Sequence, residues 1–311
     1  MADRRRTILL SGGGGGLVGR AVVAELARDH EIRSVHRHPS PDEARLGVRW
    51  VPADLTEPVD WERWLDGVDV VVNLAWYRWG SDRRFRRLYE GLSRLLAAAV
   101  RRGVPRFLQL SVPPAPTSLE TGIPYLTYKR RFDRDLAGSG LSYAVLRPTM
   151  IFGARDVLLG VMMRTIRRYP FFLMFGDGGF HLSPIASSDV ARIVRKFSES
   201  EETGTFDLGG PASYRYRELT DLMFQLLGKR PRYAHLSPMG ARRLARLLQG
   251  IGSTLLYEYE VEWLVSDMLA LPPYEGLARP LERVEPYLSR EAERLRGGVA
   301  GARGRSGGES A

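Results

Sequence analysis

Five consecutive glycines, Gly12 to Gly16, stand between a short apolar run and an amphipathic stretch. This junction constrains the fold of the chain more than any other feature. Upstream, Arg6-Thr7-Ile8-Leu9-Leu10 is a compact apolar strand. Downstream, Leu17, Val18, Ala21, Val22 and Leu26 share one side of a helix expected over Leu17 to Asp29. A loop joining the two must turn sharply, bring backbone close to a ligand, and let helix pack on sheet. Each task is served by a missing Cβ. The free N–H groups and positive dipole end of the helix then face a phosphate. Gly13, Gly15 and Gly16, with Leu17, Val18 and Gly19 at the helix start, are therefore the expected cradle for a dinucleotide pyrophosphate. Two registers fit: GxxGxxG over Gly13, Gly16 and Gly19, and GxGxxG over Gly14, Gly16 and Gly19. A glycine run alone serves equally well as a linker; its place between a strand and a helix favours the nucleotide loop.

The alternation continues along the first half. Strands are expected at Ile32 to His36, Val48 to Pro52, Val68 to Leu74, Arg106 to Ser111 and Ser142 to Arg147. Helices are expected at Trp61 to Leu65, Asp82 to Arg102 and Tyr125 to Ala137. Strands without internal polar alternation are buried on both faces, and helices between them imply parallel pairing with right-handed crossovers. The expected fold is α/β, a doubly wound parallel-sheet Rossmann domain over residues 1–152. A smaller, mostly helical lobe that covers substrate, with some return to the core sheet, follows over 153–296. Its helices are expected at Val157 to Tyr169, Ser187 to Glu199 (capped by Ser187 or Ser188, with Asp189 in the first turn), Tyr216 to Leu227, within Ala241 to Ala270, and Leu281 to Arg296. Short strands are expected at Thr205 to Leu208 and Arg232 to His235. Residues 297–311 are Gly, Ser and Arg without apolar anchors, and are expected to be disordered.

Strand two ends Val35-His36-Arg37-His38-Pro39. A carboxylate there would bind a ribose 2′-hydroxyl; none is present at this strand end. Arg37 instead suits a 2′-phosphate, which a guanidinium meets bidentately. NADP(H) is therefore favoured, NAD(H) stays open, and an ordinary surface arginine is the plainer alternative. Further on, Tyr125 and Lys129 lie four residues apart and share a helix face. A neighbouring ammonium favours the phenolate, so such a tyrosine can exchange a proton with a hydroxyl or carbonyl while a nicotinamide moves hydride. Lys129 is one of three lysines among 46 basic residues, which argues for a specific need for an ammonium. The plainer alternative is a core tyrosine beside a solvated lysine.

Composition closes off several classes. There is no cysteine, so disulfides, thiolate metal sites and cysteine nucleophiles are excluded. His36 and His38 lack a visible third ligand, so no metal site is expected. A net charge of +10 suggests polyanions or acidic lipids, but the arginines are spread beside Glu and Asp along the chain. The charge is read as a solvated surface plus an anionic cofactor, and no nucleic acid is expected as a partner. No apolar run is long enough to cross a membrane. Peripheral membrane contact stays open through the Leu- and Arg-rich stretch Arg242 to Leu248, which more often packs its leucines on a core. The chain is read as cytoplasmic, with a small-molecule substrate and an open oligomeric state.

Over residues 7 to 235 the chain resembles an extended or atypical short-chain dehydrogenase/reductase of the NAD-dependent epimerase/dehydratase type. Within that group it is most similar to the branch of the Rossmann-fold accessory subunit of respiratory complex I. The resemblance rests on ordered blocks: the glycine motif, Ala53-Asp54-Leu55-Thr56, Val70 to Ala75, Leu108-Gln109-Leu110-Ser111, Tyr125-x-x-x-Lys129, Leu146 to Gly153, Ser188-Asp189-Val190-Ala191, and Asp207 to Pro211. It implies that Asp54 and Leu55 lie by the adenine, and that Asn73, Leu74 and Ala75 line the cofactor. It implies that Tyr125 is the acid/base and that Lys129 holds the nicotinamide ribose and tunes Tyr125. Pro148 to Ile151, including Pro148 and Ile151 themselves, would approach the nicotinamide.

The chain departs from the pattern after strand five. Ser111 sits where the family often has a first, structural serine, and remains a candidate catalytic hydroxyl. The later catalytic serine position is occupied within Val112-Pro113-Pro114-Ala115-Pro116, leaving Thr117 or Ser118 to reach back. Two functions follow: an oxidoreductase or epimerase acting on a small hydroxy or keto compound, or a non-catalytic NAD(P)H-binding sensor or assembly factor.

Overall fold

The computed structural model describes residues 5–13, 15–38, 40–154, 156, 158–250, 261, 263 and 266–303. In chain order, the first half consists of β1 (Thr7–Ser11), α1 (Leu17–Leu26), β2 (Glu31–His36), α2 (Pro41–Arg45), β3 (Arg49–Pro52), α3 (Trp61–Trp64), β4 (Val70–Asn73), α4 (Asp82–Arg101), β5 (Arg106–Leu110), α5 (Thr117–Gly122), α6 (Pro124–Ala137) and β6 (Ser142–Pro148). The second half adds β7 (Ile151–Phe152), α7 (Leu159–Arg168), β8 (Phe172–Phe175), β9 (His181–Leu182), β10 (Ile185–Ala186), α8 (Ser187–Glu199), β11 (Gly204–Leu208), β12 (Tyr214–Arg215), α9 (Tyr216–Leu226), β13 (Tyr233–Leu236), α10 (Pro238–Gly250) and α11 (Val284–Arg303).

Seven strands form one parallel sheet in the order β11-β6-β5-β4-β1-β2-β3. The apolar strands are explained by what covers them. Ile8 and Leu10 of β1 face α1 and α8, packing with Val22, Val23, Val190 and Phe197. Leu9, between them, faces the opposite side and packs with α4 and α6 through Leu92, Leu95 and Phe132. Alternate residues enter different cores, so neither face tolerates polar side chains. Helix α4 lies so close that a Cβ on Gly91 would come 1.6 Å from the Leu55 carbonyl oxygen. The chain returns from the β3 edge to β4 beside β1. That reversal opens a crevice at the carboxyl ends of β1 and β4, where doubly wound sheets bind ligands.

The second lobe has its own core, built from Met162, Met163, Phe172, Phe175, Tyr216, Phe224 and Leu288. It carries three two-stranded ribbons, β10-β7, β12-β9 and β13-β8, beside its helices. Phe172, Phe175 and Phe180 are core residues, whereas Phe171 is exposed.

Some local expectations fail. Helix α8 takes Ala186 as its N-cap without a side-chain bond. Ser188 donates instead to Glu282, so neither serine caps the helix. Asp189 is in the first turn as expected, fully buried, and holds Arg192 and the Glu282 N–H. Helix α11 continues to Arg303, past Gly297, where structure was expected to end. Extending an existing helix needs one hydrogen bond per residue and no new nucleus, so it can continue beyond the buried Leu295 without a glycine stopping it. Residues 251–260, within the expected helical stretch Ala241 to Ala270, and 304–311 lie outside the described residues. Among those described, no helix is long and apolar enough to cross a membrane.

Candidate cofactor and substrate site

The glycines between β1 and α1 divide into two kinds. Gly12 has φ +84°, and a Cβ on it would meet the Ala75 nitrogen at 2.6 Å. A Cβ on Gly13 would strike Leu10, Ser34 and Glu43, and one on Gly19 would lie 2.2 Å from the Gly13 carbonyl oxygen. These three are small because protein fills the space. Gly15 and Gly16 have nothing within 4 Å of that position. Their open side faces the N-terminus of α1, where Gly16 is the N-cap, no side chain caps the helix, and the first turn holds no acid. The unbonded N–H groups and the dipole are thus left for an anion. Gly14, which belongs to the second glycine register, lies outside the described residues.

A cavity of about 410 Å³ runs from this turn along the carboxyl ends of β2 and β4. Gly16, Leu17, Val18, Gly19, Arg37, Asp54, Leu55, Leu74 and Ala75 all line it. Burial pushes the Asp54 carboxyl up, but the Thr56 backbone N–H, the Thr56 hydroxyl and the Arg37 charge together hold it below its ordinary range. The His36 ring also lines the cavity and is held at 2.6 Å by Glu43. Glu43 comes from α2, a helix the hydrophobic pattern does not show. Asn73 is turned into the sheet: it accepts from Ser11 at 2.5 Å and the Ala75 N–H at 3.1 Å, and donates to Gln109 at 2.6 Å. It shapes the strand end rather than the cavity surface.

A second cavity of about 340 Å³ adjoins the first, sharing Leu17, Leu74, Trp76, Tyr77 and Leu110. Tyr125, Lys129, Ser111, Pro148 and Ile151 line it. Tyr125 and Lys129 stand one turn apart on α6. The Tyr125 ring is framed by Trp76, Phe85 and Trp263, with centroids 6.2, 5.8 and 5.1 Å away. The Lys129 nitrogen lies 4.9 Å from the Trp76 ring centroid and 5.6 Å from that of Tyr125. Burial pushes the Lys129 ammonium down to about 7, with Asp133 pulling it up and Arg130 pushing it further down.

Ser111 is committed elsewhere. Its hydroxyl donates to Asp133 at 2.5 Å, and Arg130 approaches it at 3.5 Å. Burial raises the Asp133 carboxyl, while Ser111, Arg130 and Lys129 pull it down. Thr117 and Ser118 are exposed on α5, and neither lines the cavity, so neither reaches back. Trp76 and Tyr77 line both cavities, whereas Trp79 is exposed. Sequence reasoning missed Asp156, Trp263 and Leu269, which also line the second cavity. They lie outside every motif, and tertiary folding alone brings them there.

Comparison with known proteins agrees with this geometry. Residues 13–165 match the NAD(P)H-binding family model. A curated relative, the mitochondrial NADH dehydrogenase [ubiquinone] 1 alpha subcomplex subunit 9 of Arabidopsis thaliana, is 26% identical over 144 residues. That stretch is 45% of this chain and 35% of the relative, so the match spans about a third of that protein. A nucleoside-diphosphate-sugar epimerase from Staphylococcus aureus superposes with a TM-score of 0.74 at 18% identity, covering 91% of this chain and 99% of that one. A UDP-glucuronic acid 4-epimerase from Bacillus cereus, solved with NAD, gives 0.68 at 16% identity over 94% of this chain and 99% of that one. The UDP-glucose 4-epimerase of Thermotoga maritima, solved with UDP-glucose, gives 0.66 at 20% identity with the same coverage. At such identities these structures establish the fold.

Proposed function

We propose that the chain, whose residues 13–165 match the NAD(P)H-binding family model on a fold shared with nucleotide-sugar epimerases, is an NADP(H)-favouring oxidoreductase or epimerase of a small hydroxy or keto compound. The observation that carries the reading is the continuity of the two cavities. The open glycine turn and the Tyr125–Lys129 pair line adjoining spaces that share Leu17, Leu74 and Trp76. A dinucleotide laid on Gly15 and Gly16 has room to extend its nicotinamide toward Pro148 and Ile151.

When bound, the cofactor supplies or accepts the hydride. The protein handles the proton. In the reducing direction the Tyr125 hydroxyl gives its proton to the substrate carbonyl oxygen as an alcohol forms; in the oxidising direction the phenolate takes it back. Lys129 stabilises that phenolate in its protonated form and offers donors to the nicotinamide ribose. Arg37 is assigned to a 2′-phosphate and the start of α1 to the pyrophosphate. Tyr125→Phe is expected to abolish turnover while NADPH affinity changes less than about twofold. Equal turnover in that variant rules out the assignment.

One observation favours a second reading, a non-catalytic NAD(P)H-binding sensor or assembly factor. Ser111 donates its hydroxyl hydrogen bond to Asp133, and prolines fill positions 113, 114 and 116, so the stretch after strand five offers no serine to polarise substrate beside Tyr125. The relative in NADH dehydrogenase suits this reading. Firm NADPH binding without hydride exchange across a broad carbonyl panel selects it.

A further inference from the structure

The net charge of +10 is unevenly placed along the chain. Residues 157–176 hold three arginines and no acid, and residues 222–250 hold six basic residues and no acid. These two segments therefore account for nearly all of the excess positive charge. The fold brings them together. Strand β13 pairs with β8 in parallel, and the Phe172 N–H donates to the Arg232 carbonyl at 2.9 Å. Lys229 donates to the Ile166 and Arg167 carbonyls at the end of α7, at 2.7 Å each. Among the described residues, Arg167, Arg168, Arg230 and Arg232 form no ion pair with a carboxylate. Arg195 on α8, by contrast, is held by Glu25, Asp29 and Glu199.

Apolar side chains are exposed among these charges. Phe172 and Met174 enter the core of the second lobe, so the alternate residues Phe171 and Leu173 point outward. Tyr169 is exposed beside them, with the Arg168 guanidinium 5.7 Å from its ring centroid. Helix α10, which follows β13, packs Ala241 and Ala245 on the core and leaves Met239, Arg243 and Leu247 exposed. Five of the nine large apolar side chains exposed among the described residues thus lie on these two segments. Positive charge alone does not mark the place. The outer face of α4 exposes Arg83, Arg86, Arg87 and Arg94, but Asp82 and Glu90 stand among them, and Val100 is its one exposed large apolar residue.

We propose that the face formed by the end of α7, the β8–β13 ribbon and the start of α10 docks on a bilayer rich in anionic phospholipid. A bilayer meets both halves of this surface. Its phosphate layer takes the guanidinium groups, and the hydrocarbon just beneath takes the apolar side chains between them. An RNA strand would stack bases on Tyr169 and Phe171 but would leave Leu173 and Met239 in water. The docking is peripheral, since no described helix is long and apolar enough to cross a membrane.

The purified full chain is floated with vesicles of phosphatidylcholine alone, and with vesicles holding about a third phosphatidylglycerol. Cofactor and turnover play no part, so the outcome is independent of the proposed activity. Binding to the anionic vesicles is expected to be at least about tenfold tighter than to the neutral ones. Arg230→Glu combined with Arg232→Glu should weaken it at least about tenfold. Phe171→Ser, which leaves the charge unchanged, should weaken it about fivefold. Arg83→Glu combined with Arg87→Glu on α4 should change it less than about twofold at physiological salt.

Each substituted side chain is exposed, and the melting temperature checks that the variants fold. The comparison of the two vesicles stands without them. Failure to bind anionic vesicles, or equal binding to neutral ones, would overturn the inference. So would an equal loss from the α4 pair, no loss from Phe171→Ser in a folded variant, or tighter binding to a single-stranded RNA than to the anionic vesicles.

Discussion

Lys129 concentrates the energetic tension of the site. The residue is 4% exposed, and burial pushes its ammonium down to about 7. In the unfolded chain a lysine keeps its proton to about pH 10.4. Between those values the unfolded state binds more protons than the folded one, so stability rises as pH climbs from 7 to 10. Below pH 7 both states are protonated, and the folded state carries the whole burial cost, about 5 kcal/mol. Lys129→Met should therefore raise the melting temperature at pH 6, with a gain that shrinks by pH 9. Thermal denaturation at the two pH values checks this; an equal gain at both contradicts it. A site that accepts such a cost is consistent with an ammonium kept for chemistry.

The glycines give a second contrast at this scale. Gly19→Ala forces a Cβ against two carbonyl oxygens and should cost about 2 kcal/mol of stability. Gly16→Ala meets open space and should cost about 1 kcal/mol or less through the poorer N-cap, yet it should weaken NADPH binding at least tenfold, by about 1.4 kcal/mol. Melting curves and NADPH titrations of the two variants separate a packing glycine from a ligand-facing one.

At the scale of elements, the proposed choice between dinucleotides falls to the end of β2. Arg37 lines the first cavity, and its charge is felt by Asp54 across it. Charge-assisted bonds of a guanidinium to a 2′-phosphate contribute about 1.5–3 kcal/mol. Arg37→Ala should therefore weaken NADPH by about 10- to 100-fold and leave NADH nearly unchanged. Equal losses for both would remove Arg37 from the 2′-phosphate role.

The elements also show what the sequence carries openly. The glycine turn, all seven strands of the sheet (six in the first domain and β11 after it) and the Tyr125–Lys129 helix were readable, because each is a local pattern of residue types imposed by one backbone geometry. Helix α2 was not, since Pro41–Arg45 holds no apolar stripe and is set by Ser40 receiving the Glu43 N–H. The capping of α8 was misread because Ser188 is drawn to Glu282, 94 residues away in sequence. The same limit applies to Ser111: its bond to Asp133 depends on how β5 meets α6, and only tertiary structure supplies that.

For the whole molecule, one architectural choice unites the account. Placing β1 between β4 and β2 inside a parallel sheet, with apolar residues directed to both faces, brings the glycine turn, the end of β2 and the loop after β4 to one edge. The second lobe closes the adjoining space with Leu158, Trp263 and Leu269. The positions of the last two follow from long-range packing, so the motifs located the cofactor side of the site far better than its substrate side. The most direct test of the whole is calorimetric titration of the purified full chain with NADPH and with NADH. Saturable binding of one dinucleotide per chain is expected, tighter for NADPH and weakened at least tenfold in Gly16→Ala. No heat of binding for either dinucleotide, or binding that Gly16→Ala leaves untouched, contradicts the assignment of the glycine turn.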